Sequence, residues 1–449
     1  MFFSTAAQVA VRMETMRKAE AGLIALARRF GKDETTSSFN MELFDTPIPV
    51  SVLPFRQASS GGWFDSVFGS SGSNTTTKDD EEQLTMHAIR VTQDKDSRLS
   101  SLASQTRSES QYPLVIVHGY MNGALYFYRN LIGLAGFFDT VISVDLLGWG
   151  LSSRPSIDRL RDESVETAEA FFVESLESWR STNKIEKMNL AGHSMGGYLS
   201  VAYCEKYPER VDRLLLLSPA GIPEETIEKR DARRAQFLTS TPRRVVYGFF
   251  AGLWDKGYTP GSIMRAITES QGRTLVEGYV RNRLPAIQDP EEREVLAEYM
   301  YTGSILPGSG EYVQNRLLLP GAIAKNPCLP RIPNLKVKNI SFLYGTKDWM
   351  DVQGGLDVQT KCRELRAAKD GNDNIPNIDV YQVRNAGHLL QLENSSAFNA
   401  AVIIASGADP STIQDASDLP IIPLTLPPKL ARTRSSNSSS SNGGVQVTA

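Results

Sequence analysis

Cysteine is scarce: three residues in a chain of 449, Cys204, Cys328 and Cys362, each far from the others. Spaced in this way they form neither a disulfide framework nor a C-x-x-C zinc pair, which favours a reducing compartment and leaves no structural metal to expect. Positive charge is not in excess either. With 48 Lys and Arg against 51 Asp and Glu, the net charge of -3 offers no basic field for a nucleic acid. No run approaches the roughly 20 apolar residues that cross a bilayer. The greasiest short stretches are 245–254 and 214–217, so no transmembrane span is expected. What remains, 41% hydrophobic and 22% charged, is the composition of a globular enzyme.

The chain divides by composition. Residues 1–56 open with an alanine-rich stretch in which Arg12, Arg17, Lys18, Arg28 and Arg29 sit beside Val9, Met13, Met16, Leu23 and Phe30. It reads as a helix, either packed on the rest of the chain or serving as an organelle-targeting or membrane-surface segment; Glu14 and Glu20 count against a transit peptide. Residues 57–83 are too rich in Ser, Gly, Thr and acid to offset the ordering cost of about 1 to 2 kcal/mol per residue, and read as a flexible linker. Inside it Trp63, Phe64, Val67 and Phe68 form an apolar island, read as a loop that docks on the main domain or as a point of insertion into lipid. A C-terminal extension covers 410–449, and its end, 432–449, is a low-complexity disordered tail.

Over 84–409 the pattern becomes short apolar runs separated by helical periodicity. An alternating strand at 84–91 is followed by buried runs at 113–119, 140–145, 188–194, 214–221, 339–345 and 377–383. Such runs predict an α/β fold, a mostly parallel, doubly wound sheet covered on both faces. Between about 222 and 334 the rhythm stops in favour of a helical, aromatic segment, too long for a connector. It reads as an inserted helical cap over the C-terminal edge of the sheet, where open α/β folds bind ligands.

The sharpest motif is Gly192-His193-Ser194-Met195-Gly196. G-x-S-x-G is weak alone, but here a strand-like run precedes it and a helical run follows. Ser194 therefore falls on a sharp strand-to-helix turn that exposes its hydroxyl. A serine hydroxyl needs a base, and the chain has four histidines. His193 belongs to the turn, His118 opens the turn after the strand at 113–119, and His87 lies in an early strand. His388 remains, on a loop after the last strand. Asp348, after the strand at 339–345, is the natural group to orient it, in the chain order Ser194, Asp348, His388; Asp351, three residues on, is the alternative acid. Backbone N–H groups of Tyr120 and Met195 are placed to stabilise the oxyanion. No metal and no cofactor is needed by such chemistry.

The stretches HGYMNG, DLLGWGLSSRP, FVESLESWR, GHSMGGYLSVAYCEKYPERVDRLLLLSPAGIP and NAGHLLQLENSSAF resemble the α/β-hydrolase superfamily, specifically its abhydrolase-domain four and five subfamily. This subfamily includes the lipid-droplet lipase co-activator and plant and fungal relatives. The resemblance spans roughly 110–225 and 335–400. It implies the α/β-hydrolase fold and a role in lipid homeostasis, with phospholipase, lysophospholipase or lysophosphatidic acid acyltransferase activity and phosphatidic acid synthesis. It also implies an intracellular address in the cytoplasm or, peripherally, at a lipid droplet or mitochondrion, and acyl-CoA or a lipase as partner. One vertebrate branch has asparagine where this chain has Ser194, so that branch's loss of hydrolysis does not carry over. The subfamily's proposed acyltransferase motif is His, four residues, Asp; here the acid after His388 is Glu393, one methylene longer, which sets acyl transfer in question. Its branches differ over the aspartate kept in the segment matching GTKDWMD, so Asp348 and Asp351 both stay open.

The expected protein is thus a serine carboxylic ester hydrolase acting on acyl glycerolipids. The aromatic residues Tyr247, Phe249, Phe250 and Trp254 of the cap would line an acyl tunnel or, equally, pack the cap. The rival reading is a lipid-surface adaptor or lipase co-activator that needs no turnover.

Overall fold

Leu114, Val115, Ile116 and Val117 are all buried, and their side chains alternate between two separate apolar cores. Val115 and Val117 join Leu190, Leu214, Leu216 and Phe342 on one face of a sheet, while Leu114 and Ile116 join Ala191, Leu215, Leu217 and Leu343 on the other. Runs of Val, Ile and Leu without a polar face form strands of this kind, since burial on both sides leaves no position for a solvated side chain. A computed structural model of the chain describes residues 5–30, 39–54, 83–93, 112–157, 163–224, 252–254, 256–368, 374–408 and 421–424. The aromatic island Trp63, Phe64, Val67 and Phe68, the cap aromatics Tyr247, Phe249 and Phe250, and the tail 432–449 lie outside the described residues.

In chain order the elements are α1 (Ala6–Phe30), β1 (Phe39–Pro49), β2 (Gln83–Gln93), β3 (Leu114–Val117), α2 (Leu131–Phe138), β4 (Thr140–Val144), α3 (Val165–Thr182), β5 (Met188–His193), α4 (Met195–Lys206) and β6 (Val211–Leu217). The cap follows, with α5 (Pro260–Ala266), α6 (Glu269–Arg283), α7 (Pro290–Ile305), α8 (Gly310–Leu317) and the small ladder β7 (Leu318–Leu319) with β8 (Ile323–Ala324). The chain then returns to the sheet through β9 (Asn339–Gly345), α9 (Gln353–Ala368), β10 (Asn377–Val383), α10 (Leu390–Glu393), α11 (Ser395–Ala405) and β11 (Ile421–Pro423).

The nine-stranded sheet has the order β1-β2-β4-β3-β5-β6-β9-β10-β11. The six central strands from β4 to β10 run parallel, and β1, β2 and β11 join antiparallel. This is the α/β-hydrolase fold. The sheet also reaches into the stretches 1–56 and 410–449 set apart above, because β1 pairs along its whole length with β2 and β11 extends the far edge.

Helix α1 is docked rather than free. Met16, Ala19, Leu23, Leu26 and Ala27 pack in the core that also holds Leu296 and Tyr299 of α7. Arg12 reaches the carbonyl of Ile305 at 2.9 Å. Glu20 is carried in with them and meets His87 Nε2 at 3.0 Å. The cap helices begin on side-chain caps: Thr259 and Thr268 each close a reciprocal capping box, and Asp289 accepts from the Glu291 N–H ahead of α7. Arg154 fixes this cap to the sheet, donating to the carbonyls of Gly148 and Gly150 below and of Pro307 above. Among the described residues no helix is long and apolar enough to cross a membrane, and no cluster of side chains could hold a metal ion. Cys204, Cys328 and Cys362 are all buried as free thiols.

Candidate active site

Strand β5 turns into helix α4 at a single residue. Ser194 sits there with φ 54° and ψ -116°, a conformation costly for any L-residue. The surrounding bonds hold it. Its N–H donates to the Leu217 carbonyl at 2.9 Å, and its carbonyl accepts from the N–H groups of Gly197 and Ala220, each at 3.0 Å. The flanking glycines are a steric need. A Cβ on Gly192 would overlap the Gly196 carbonyl, and one on Gly196 would lie 2.5 Å from the Val117 carbonyl.

Above the turn, the loop after β10 brings His388 into reach. Its Nε2 lies 3.1 Å from Ser194 Oγ, and its Nδ1 lies 3.2 Å from Asp348 Oδ1, on the loop after β9. The structure thus brings together three residues from three strand ends and leaves Asp351 out of the group: Asp351 is exposed and accepts from the Gln353 N–H at the start of α9. Burial alone would push the Asp348 carboxyl up, but hydrogen bonds from His388, Ser218 and the Met350 N–H outweigh it and hold the pKa below the usual carboxylate value. Asp348 is therefore an anion facing the imidazole.

The loop after β3 runs beside Ser194. A Cβ on Gly119 would fall 2.9 Å from His193 Nδ1 and 3.0 Å from Ser194 Cβ, so only glycine lets the backbone pass. Beyond it lie Tyr120 and the left-handed Met121 at φ 53°. Among the described residues neither the Tyr120 nor the Met195 backbone N–H meets an acceptor, and both residues line the cavity with Ser194. His118 holds this loop in place: Nδ1 donates to the Gly119 carbonyl at 2.7 Å and Nε2 accepts from the Leu146 N–H at 3.0 Å. Full burial lowers its pKa to about 4, so the neutral imidazole those two bonds require is the form present.

Four further residues support the site; Ser218 and Asp145 were not singled out in the sequence, and His193 and Glu393 were noted there without these contacts. Ser218, at the end of β6, donates to Asp348 Oδ2. His193 donates from Nε2 to the His388 carbonyl at 2.9 Å, and burial followed by the nearby His388 lowers its pKa to about 3. Glu393 accepts from the N–H groups of Gly387 at 2.8 Å and Leu389 at 3.1 Å, the two residues that flank His388. Asp145 accepts from Ala124 N–H at 2.6 Å and Leu151 N–H at 2.7 Å, tying the loop after β3 to the DLLGWG turn. Burial, partly offset by the charge of His87, raises its pKa to about 6. Gly123 and Gly150 leave room for this carboxylate, which a Cβ at either position would meet at 3.0 Å or less.

A cavity of about 540 Å³ lies over Ser194 and His388. The cap closes it with Leu253, Trp254, Pro260, Ile263 and Leu318, and its polar lining is sparse, chiefly Asn122, Thr259 and Gln314. Trp254, expected in an acyl tunnel, is on this wall.

Residues 112–395 match the family described as the alpha/beta hydrolase fold. Over 315 residues the chain is 31% identical to 1-acylglycerol-3-phosphate O-acyltransferase of Arabidopsis thaliana, covering 69% of this chain and 70% of that one. A probable 1-acylglycerol-3-phosphate O-acyltransferase of Oryza sativa subsp. japonica is 33% identical over 305 residues, covering 66% and 68%. The (lyso)-N-acylphosphatidylethanolamine lipase of Homo sapiens is 30% identical over 291 residues, covering 65% and 78%. Among solved structures, carboxylesterase CesB of Bacillus subtilis covers 87% of this chain and 97% of its own at a TM-score of 0.47 and 16% identity.

Proposed function

This chain belongs to the alpha/beta hydrolase family, within its abhydrolase-domain four and five subfamily, and on that premise we propose that it is a serine carboxylic ester hydrolase acting on acyl glycerolipids. One observation carries the reading. Ser194 Oγ, His388 and Asp348 are in line at 3.1 and 3.2 Å beneath a largely apolar cavity. The names borne by the relatives, an acyltransferase for 1-acylglycerol-3-phosphate and a lipase for N-acylphosphatidylethanolamine, support an acylated glycerolipid as substrate.

In this reading the acyl chain lies along Leu253, Trp254 and Ile263, with the ester carbonyl over Ser194. Oγ attacks the carbonyl carbon while its proton passes to His388 Nε2, and Asp348 stabilises the imidazolium. The tetrahedral oxyanion accepts from the Tyr120 and Met195 N–H groups, which among the described residues have no competing bond to give up. Collapse returns the proton from His388 to the departing alcohol and leaves the acyl group on Ser194. Water, activated by the same imidazole, then completes hydrolysis; a lysolipid hydroxyl in its place completes acyl transfer. The cap residues Leu253, Trp254, Pro260, Ile263 and Leu318 supply the wall that keeps the acyl chain away from solvent. A substrate held in a droplet or membrane makes association with that surface peripheral.

The test is release of fatty acid from a monoacyl glycerophospholipid by the full chain. The wild type turns it over and Ser194→Ala does not; equal turnover by both ends the proposal.

A further inference from the structure

Six large apolar side chains are exposed among the described residues: Val11, Phe30, Leu43, Leu275, Tyr279 and Trp349. Half of them gather at one place. Tyr279 on α6 and Trp349 on the loop after β9 both line the cavity over Ser194, yet 42% and 59% of their surface faces solvent. Leu275, 58% exposed, is one helical turn before Tyr279, on the same face. Trp349 also leans on the imidazole of His388, with ring centroids 4.9 Å apart. Folding alone does not explain these positions, since an exposed Trp, Tyr and Leu leave apolar area in water on the rim of an apolar cavity.

Charge accompanies them. Arg283 continues the stripe of Leu275 and Tyr279 at the same four-residue spacing, and exposed Lys347 lies two residues before Trp349, while Asp351, two residues after it, is engaged by the Gln353 N–H. The acids of α6 point elsewhere. Glu269 pairs with Arg273, and Glu277 lies in the groove that Arg273 and Arg281 share with Arg293 and Glu294 of α7. A rim of aromatic and aliphatic side chains with a cation on each side matches an interface where acyl chains meet anionic headgroups.

We infer that this rim, Leu275, Tyr279 and Trp349 flanked by Arg283 and Lys347, is a docking surface for an anionic phospholipid layer, and that it delivers acyl chains from that layer into the cavity. The delivery step rests on the hydrolase reading; the docking does not. Because the rim and the cavity are continuous, an acyl chain leaves the layer over Trp349 and Tyr279 and reaches Ser194 without crossing water.

The test is flotation of the full chain with phosphatidylcholine vesicles, with and without phosphatidylserine, for the wild type and for Leu275→Ser combined with Arg283→Gln. Neither residue lines the cavity. The double variant should bind serine-lipid vesicles about tenfold more weakly and lose turnover of a vesicle-borne ester in proportion, while hydrolysis of a water-dissolved short-chain aryl ester stays at the wild-type rate. A second readout is quenching of tryptophan fluorescence by brominated lipid, which Trp349→Phe should reduce. Vesicle binding equal in both proteins, no binding by the wild type, or quenching unchanged in Trp349→Phe overturns the inference. So does a wild-type dimer that the double variant dissolves while flotation is unaffected, which assigns the rim to a second copy of the chain. A wild type that floats but fails to cleave the aryl ester contradicts the hydrolase reading and upholds the docking surface.

Discussion

His193 Nε2 donates to the backbone carbonyl of His388 across 2.9 Å, so the turn that carries the nucleophile also holds the loop that carries the base. The two rings are neighbours, tilted by 44° with centroids 5.0 Å apart. His193→Phe keeps an aromatic ring and removes the donor, leaving a carbonyl without its partner at a cost of about 1 to 3 kcal/mol. Steady-state kinetics on an aryl ester should show kcat down about tenfold with KM little changed. An unchanged kcat would mean that the loop is positioned without this bond.

Glu393 grips the same loop from the other side, with one carboxylate oxygen on each N–H that flanks His388. Both oxygens are engaged in holding backbone, so the residue acts on His388 through position. Glu393→Gln turns one acceptor into a donor facing an N–H and should lower hydrolysis and acyl transfer by the same factor, roughly ten. Product analysis with a lysophospholipid acceptor checks this; a change in the ratio of transfer to hydrolysis assigns Glu393 to the chemistry.

Asp348 and Asp351 separate cleanly. Asp348→Asn loses the anion that orients His388 and should reduce kcat by about 10⁴. Asp351→Asn keeps an acceptor for the Gln353 N–H and should retain wild-type activity. Reversal of these outcomes, measured side by side, moves the acid to Asp351.

His87 bridges α1 and the sheet, with Nδ1 2.6 Å from Asp45 Oδ1 and Nε2 3.0 Å from Glu20 Oε1. Burial disfavours its charge, but the hydrogen bonds to Asp45 and Glu20 outweigh this and raise its pKa from 6.5 to about 10. A raised value means the folded state binds the proton more tightly. The stabilisation is therefore complete below about 6.5 and is lost as the pH climbs towards 10. Melting temperatures of the wild type and His87→Gln should differ most at neutral pH and below, and converge near 10. A gap that widens with pH contradicts the buried imidazolium.

The parts legible in the sequence share one physical feature, a local pattern. Runs such as Leu114–Val117 and Leu214–Leu217 read as buried strands because a run without polar positions has no solvated face. Ser194 was legible through the small residues its bend requires, and His388 because few histidines compete with it. What stayed hidden is a set of polar side chains whose hydrogen-bond partners are fixed only by the folded loops. Ser218 and Asp145 look like ordinary loop residues until the chain closes around them, and Glu393, conspicuous for its spacing from His388, gave no sign that it grips backbone. The edge strand β1 was equally hidden, since FNMELFDTPIP mixes charge with apolar residues and only its pairing with β2 makes it a strand. For α1 the packed reading holds, but its polar anchor was hidden: buried Glu20 is favourable only opposite His87, a partner 67 residues away.

The central claim is that Ser194 is the nucleophile and His388 its base. Mass-spectrometric mapping of a fluorophosphonate adduct on the full chain tests it most directly. The adduct should sit on Ser194 in the wild type, vanish in Ser194→Ala and form far more slowly in His388→Ala. Full labelling of Ser194→Ala, or an adduct on another residue of the wild type, would contradict it.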